Sequence, residues 1–77
     1  MDQFPSLKAG KLLSILCRKP LGYRVVRQTG SHRTLEAEGR PTILFAHHDS
    51  TTIRPRLVRD ILVRQVELDE EFARKLV

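Results

Sequence analysis

The first regular pattern along the chain is an apolar stripe at helical spacing between Ser6 and Lys19. Apolar side chains recur every three or four positions and basic side chains fill the other side, which is typical of an amphipathic helix. We expect about three helical turns, with Ser6 as the capping residue and with Pro20 unable to continue the helix. Because Cys17 falls within the stripe, we expect it to be a small buried hydrophobic residue. The apolar positions are Leu12, Leu13, Ile15, Leu16 and Cys17.

Three short segments that favour β-structure follow this helix. Tyr23 to Gln28 is a β-branched and aromatic run, and Ser31 to Ala37 alternates along its length. A third strand is predicted over Pro41 to His47 or His48. Thr29-Gly30 predicts the bend of a hairpin, and Glu38-Gly39-Arg40 predicts the next turn. Together these segments predict a three-stranded antiparallel meander.

Alternation assigns the side chains of the second and third strands to two faces of the sheet. The larger apolar residues mark the face that the helices cover, and they are Leu35, Ile43 and Phe45. Strict alternation then places His32 and His48 together on the opposite, open face. His47 is expected to point toward the helices or to lie at the end of the strand. A bulge of one residue would reverse the assignment for either histidine.

The last third of the chain returns to helical spacing. After a polar connection over Asp49 to Arg54, Pro55 fits the first position of a second helix. The apolar stripe of this helix consists of Leu57, Val58, Ile61 and Leu62. A short last helix is predicted near the C-terminus, with Asp69 as its cap and with Phe72 and Leu76 as docking residues. The order helix, three-stranded antiparallel sheet, helix and short C-terminal helix predicts an α+β fold with both main helices on one sheet face.

Composition narrows the class of protein. A chain of 77 residues with 40% hydrophobic side chains predicts a single domain, 1–77, with a thin core, so we expect a partner to add stability and oligomerisation to be weak without one. A net charge of +5 favours polyanions and makes nucleic acid the first partner to test. No stretch approaches the roughly 18 consecutive apolar residues of a membrane span, and the N-terminus lacks a signal-peptide pattern. We therefore expect a cytoplasmic protein that does not bind membranes.

The motifs exclude most cofactor chemistry and leave one candidate site. One cysteine and three histidines without CxxC or HExxH spacing predict no metal site, and no phosphate-binding glycine motif is present, so no cofactor is expected. What remains is Gly30-Ser31-His32 beside Arg24, Arg27 and Arg33. A histidine side chain ordinarily titrates near neutrality and can accept a proton from a ribose 2′-hydroxyl, while guanidinium groups hold the phosphate. These are the parts of a metal-independent ribonuclease, although the same string also suits an exposed strand histidine without a function.

Four segments together carry more information than the Gly-Ser-His string. Leu7 to Leu13 is similar to the opening helix of one family, and Leu21-Gly22-Tyr23 is similar to its Gly-Phe/Tyr strand start. Arg27 to His32 is similar to the "rqkGSH" centre of that family, and Leu57 to Leu62 is similar to its "tlrsIl" helix. From Leu7 to about Leu76 the sequence thus resembles the HicA toxin family, small messenger-RNA interferases of bacterial and archaeal toxin-antitoxin modules.

The resemblance implies a fold, an activity and a partner. The family fold is like that of a double-stranded-RNA-binding domain, and its members are toxins of type II modules that a HicB-like antitoxin neutralises. The implied activity is metal-independent cleavage of single-stranded mRNA, and the functional histidine corresponds to His32. The family's Pro-x-His at the end of the third strand corresponds to Ala46-His47-His48, so His48 matches and an alanine replaces the proline. Arg56 stands where the family usually has glycine.

By analogy with the family, His32 acts as general base or acid when the 2′-hydroxyl attacks the adjacent phosphorus. One histidine cannot easily perform both proton transfers, so His48 is the candidate for the second. Gly30 and Ser31 are expected to position His32, through a turn with positive φ and through a local hydrogen bond. Tyr23 is expected to pack or stack rather than to react. The candidate RNA contacts are Arg24, Arg27, Arg33, Arg54, Arg56 and Arg59.

Two other functions stay open at this point. A non-catalytic RNA-binding module of the double-stranded-RNA-binding type would need the basic surface but no histidine. A pure interaction subunit would use its basic face only for a protein partner. Cleavage of RNA by the wild-type protein separates the nuclease from both alternatives.

Overall fold

The computed structural model describes residues 4–77. These residues form two small sheets and three helical regions. The strands are β1 (Leu7–Lys8), β2 (Arg24–Thr29), β3 (His32–Glu36), β4 (Ile43–Ala46) and β5 (Thr52–Ile53). The helices are α1 (Ala9–Cys17), α2 (Pro55–Arg59), which continues as a π-helical segment (Asp60–Gln65), and α3 (Glu70–Leu76). The predicted α+β fold is confirmed, whereas residues 1–3 of the predicted domain lie outside the described part.

Helix α1 begins at Ala9, later than predicted, because the residues before it form a strand. Leu7 lies opposite Ile53 in the antiparallel β1–β5 pair, so the backbone is extended as far as Lys8. An extended segment cannot provide the first helical turn, and the predicted capping role of Ser6 is therefore wrong. Lys8 occupies the capping position and makes no side-chain cap hydrogen bond.

Backbone carbonyls of the loop between β4 and β5 accept hydrogen bonds from the start of α1, in place of a capping side chain. The N–H of Ala9 donates to the carbonyl of Thr51 at 2.7 Å, and the N–H of Gly10 donates to the carbonyl of Asp49 at 3.0 Å. A Cβ at position 10 would lie 3.3 Å from the Cβ of Asp49, so glycine permits this close approach. The first free N–H groups of α1 are thus satisfied by a segment about forty residues away in the sequence.

Cys17 is exposed, and the prediction that it is buried is wrong. The residues of α1 that reach the core are Ala9, Leu12, Ile15 and Leu16. Leu13 and Cys17 are one helical turn apart on the flank of that stripe, where Leu13 is half-buried and Cys17 is in solvent. The buried stripe of α1 therefore includes fewer residues than the apolar stripe that the sequence shows.

Strands β2, β3 and β4 form the predicted antiparallel meander, in that order. Val25, Leu35 and Ile43 lie opposite one another across the three strands, with Leu35 and Ile43 buried against the helices and Val25 41% exposed. Leu35 is fully buried, whereas Leu44, the next residue along β4 after Ile43, is 61% exposed. The helices cover the predicted face, and the other face of the sheet is open.

One apolar core joins the covered face of the sheet to the helices. From the helical layer it includes Leu12 and Leu16 of α1, Val58 of α2, and Ile61 and Leu62 of the π-helical segment. Both main helices therefore pack on the same face of the three-stranded sheet. Within residues 4–77, no helix is long and apolar enough to cross a membrane.

Helix α3 has the predicted cap but a different docking residue. One carboxylate oxygen of Asp69 accepts hydrogen bonds from the N–H groups of Glu71 and Phe72 at 3.1 and 3.2 Å, which confirms its capping role. The side chain of Phe72 is exposed, so its predicted docking role is wrong, and Ala73 is the buried residue of this helix. With the helix phase set by the cap, Leu76 falls on the same side as Ala73 and packs against the core.

Candidate functional site

His32 is the first residue of β3 and follows a turn of two residues. Gly30 has a φ of +60°, in the left-handed region where a glycine is least strained. The Nε2 of Gln28 donates to the carbonyl of Gly30 at 3.0 Å, whereas Ser31 makes no side-chain hydrogen bond within the described residues. This tight turn places His32 opposite Thr29 of β2 and leaves its side chain in solvent.

The strand register identifies the neighbours of His32 on the open face. Ala46 of β4 lies directly opposite His32, and the next row along the face carries Arg27, Thr34 and Leu44. Diagonal neighbours on one face of an antiparallel pair are about 7–8 Å apart. That separation is within reach of an arginine side chain, so Arg27 and His32 can contact the same phosphate group.

A β-bulge brings a second arginine to the open face. The register shifts between Val25 and Arg27, which leaves Val26 as an extra residue in β2. Strict alternation would put Arg24 and Arg27 on opposite faces because they are three residues apart, but one extra residue returns both to the same face. Arg24 lies opposite Glu36, at the end of the face away from His32. The open face therefore carries His32 and two arginines, with Arg27 in the row next to His32 and Arg24 at the far end of the face.

His48 and His47 lie beyond the end of β4. The strand ends at Ala46, so strict alternation does not fix the direction of His48, which is exposed in the following loop. The carbonyl of His48 accepts a hydrogen bond from the N–H of Thr51 at 2.9 Å. The ring of His47 packs edge-on against Phe45 at 5.2 Å between centroids, and His47 is half-buried at the end of the strand.

Arg33 is next to His32 in the sequence, but its side chain is on the helix-covered side of the sheet. It lies in the same row as Phe45, and its side chain is only 13% exposed. The Nη2 of Arg33 donates to the Oδ1 of Asp49 at 3.0 Å, and the buried Nη1 has no hydrogen-bond partner within residues 4–77. Arg33 thus occupies a different environment from Arg24 and Arg27.

The three remaining candidate arginines belong to the helical layer. Arg56 and Arg59 line a groove of about 400 Å³ together with Phe4 and Pro55, and Arg54 precedes α2 in an exposed position. Arg59 also contacts Glu70 at 3.3 Å and Asp60 at 3.8 Å. Because α2 packs on the covered face of the sheet, Arg56 and Arg59 belong to the layer opposite the open face that carries His32.

Tyr23 packs in the core rather than on the open face. Its side chain is 2% exposed, and its hydroxyl donates to the carbonyl of Pro41 at 2.7 Å. Burial raises the pKa of Tyr23, with a further increase from Glu67 and a partial decrease from Arg40. The neutral phenol is the form that the fold stabilises.

The stability of the protein at alkaline pH tests whether Tyr23 is buried with a neutral hydroxyl. A raised pKa in the folded state means that the stabilisation is fully present below the ordinary tyrosine pKa of about 10 and is lost as the pH rises through the folded-state value. We expect Tyr23→Phe to be less stable at pH 7 by about 1 kcal/mol, the usual contribution of one hydrogen bond. Above pH 10, the free energy of unfolding should also fall less steeply for the variant than for the wild type. Urea unfolding at a series of pH values measures this difference. An equally steep alkaline decrease in both proteins would contradict the assignment.

The contact between Asp49 and Arg33 is the feature of this region that the sequence did not indicate. The one available signal was Gly10 inside a helical pattern, since such a glycine often marks a close backbone approach. Among residues 4–77, no group of three or more His, Cys, Asp or Glu side chains is arranged to hold a metal ion. The strands of the open face carry one imidazole and two guanidinium groups, those of His32, Arg27 and Arg24.

Comparison with known proteins identifies one family. A family model described as the HicA toxin of bacterial toxin-antitoxin matches residues 10–68, which include all of α1 except Ala9, the three-stranded sheet and the π-helical segment. No curated protein and no solved structure matches the chain. The matched region contains the Gly30–Ser31 turn, His32 and both arginines of the open face.

Proposed function

Since the chain belongs to the HicA toxin family of bacterial toxin-antitoxin systems, we propose that it is a type II toxin that cleaves mRNA without a metal ion. The observation that carries the proposal is the open face, where the turn and the bulge place His32, Arg27 and Arg24 on the same side of the sheet. An exposed imidazole, with one guanidinium group in the neighbouring row and a second farther along the same uncovered surface, is accessible to a single strand of RNA.

The proposed reaction is attack of a ribose 2′-hydroxyl on the adjacent phosphorus. His32 removes the proton of the 2′-hydroxyl or gives a proton to the leaving 5′-oxygen, and His48 performs the other transfer. Arg27 holds the phosphate beside His32 and offsets the charge that develops in the transition state. Arg24 contacts a neighbouring phosphate along the strand. The products are a 2′,3′-cyclic phosphate and a 5′-hydroxyl.

The proposed partner is a HicB-like antitoxin that covers the open face. The net charge of +5 suits an acidic partner surface. Leu44, which is 61% exposed in the row next to His32 on the open face, gives such a partner an apolar anchor. Both proteins would act in the cytoplasm, where mRNA is found.

The proposed activity is tested by incubating the purified protein with single-stranded RNA in excess EDTA. We expect endonucleolytic cleavage that does not depend on added divalent metal. Binding of RNA without cleavage, under conditions in which the protein is folded, would favour the non-catalytic RNA-binding module. Failure to bind RNA at any salt concentration would favour the interaction subunit.

The arginines of the open face predict the salt dependence of RNA binding. We expect Arg27→Gln to weaken binding and to reduce the slope of log K against log salt by about 0.7, the value for one phosphate contact on a single strand. Arg64→Gln removes the same charge from an exposed position of the π-helical segment and serves as the control. Titrations of a labelled RNA at several salt concentrations measure both slopes. Equal slopes for the two variants would contradict the location of the RNA on the open face.

A further inference from the structure

The loop that carries His48 is fixed to the rest of the protein at several points. We define this histidine loop as residues 47–51. The carbonyls of Asp49 and Thr51 accept hydrogen bonds from the first N–H groups of α1, at 3.0 and 2.7 Å. The Nζ of Lys8 donates to the carbonyl of Ser50 at 3.3 Å. The histidine loop therefore has a defined position although it contains no regular secondary structure.

The histidine loop leaves the sheet beside His32. Ala46, the last residue of β4, lies directly opposite His32, and directly opposed Cα atoms are about 4.5–5.5 Å apart. His48 follows two residues later, and two Cα–Cα steps span at most about 7.6 Å. The Cα atoms of the two histidines are therefore within about 13 Å of each other. Two imidazole side chains at this separation can reach one phosphodiester when both point to the open face.

The ion pair of Arg33 and Asp49 connects the two histidines behind the sheet. Arg33 follows His32 in β3, and Asp49 follows His48 in the histidine loop. Their side chains meet at 3.0 Å, with the Arg33 side chain 13% exposed and the Asp49 side chain 65% exposed. An ion pair with one partner largely in solvent contributes little to stability, and the unpartnered Nη1 of Arg33 opposes folding. Stability alone therefore gives a poor account of this pair.

We propose that Arg33 and Asp49 are positioning residues that hold His48 in register with His32 for the two proton transfers. This inference rests on the proposed nuclease function. The ion pair fixes the end of β3 to the histidine loop, and the hydrogen bonds to α1 fix the loop on its other side. Arg33 acts through this pair and not through contact with RNA.

Asp49→Asn tests the proposal because it removes the charge and keeps the size and the main-chain hydrogen bonds of Asp49. We expect kcat for RNA cleavage to fall about 10- to 100-fold, the usual cost of a misplaced catalytic group, with KM nearly unchanged. In the double variant with His48→Ala, kcat should be no lower than in His48→Ala alone, because both changes remove the same contribution. Arg33→Lys keeps the charge and is expected to retain intermediate activity.

Glu70→Gln provides a matched control, since it breaks the ion pair with Arg59 in the helical layer and should leave kcat unchanged. Circular dichroism establishes that each variant is folded, and Arg33→Lys replaces Asp49→Asn if the latter does not fold. Unchanged kcat in a folded Asp49→Asn protein, or losses that multiply with those of His48→Ala, would overturn the positioning role alone. A wild-type protein that does not cleave, or a folded His32→Ala protein that does, would overturn the nuclease function and this inference with it.

Discussion

The His32→Ala protein is expected to cleave RNA at least about 100-fold more slowly than the wild type, because a general acid or base contributes about 10²–10⁴-fold to the rate. The side chain of His32 is exposed and makes no hydrogen bond or ion pair within residues 4–77, so its replacement should leave the stability nearly unchanged. RNA binding should persist, since Arg24 and Arg27 remain. Initial rates of cleavage, measured together with thermal unfolding, separate a chemical effect from a loss of structure.

His47→Ala is the control for this prediction. His47 packs against Phe45 at the end of β4, so its loss should lower stability slightly and leave the chemistry intact. If the two variants lost activity equally, the loss would reflect the local structure of the strand end. If the folded His32→Ala protein kept full activity, His32 would have no part in the reaction.

The second large effect is expected at Leu35, on the covered face of the sheet. Leu35→Ala should lower the free energy of unfolding by about 2–5 kcal/mol, from lost burial and from the cavity that remains. Small domains are stable by only about 5–15 kcal/mol, so this change removes a large share of the total. Urea unfolding at pH 7 measures the difference.

Leu44→Ala is the matched variant, since Leu44 is a leucine on the neighbouring strand but faces the open side. Its replacement should change the free energy of unfolding by no more than about 0.5 kcal/mol. The comparison also tests the site, because Leu44 and His32 lie on the same open face of the sheet. An equal cost for both leucines would mean that the face carrying His32 is covered, and RNA could not reach it.

The layers of the fold and the exposure of His32 could be predicted because they depend on local periodicity. Alternation in β3 and β4 assigns Leu35, Ile43 and Phe45 to one side, and His32 then has only the other side available. The cap at Asp69 is also a local feature, set by hydrogen bonds within one helical turn. Such features need no knowledge of distant parts of the chain.

The remaining features depend on contacts between distant segments. The pairing of β1 with β5 decides where α1 begins, and this excluded Ser6 as a cap. The bulge at Val26 decides that Arg24 and Arg27 share a face, although their spacing in the sequence places them on opposite faces. Alternation in β3 already places Arg33 on the covered side, but its ion pair with Asp49 depends on a segment 16 residues away. No periodicity in one segment reports such contacts.

The most direct test of the central claim is identification of the RNA ends made by the wild-type protein in excess EDTA. The proposed attack by the 2′-hydroxyl predicts a 2′,3′-cyclic phosphate on one product and a 5′-hydroxyl on the other, with both formed at least about 100-fold more slowly by His32→Ala. Products that carry a 3′-hydroxyl and a 5′-phosphate, or cleavage that stops when the metal is removed, would contradict a metal-independent reaction centred on His32.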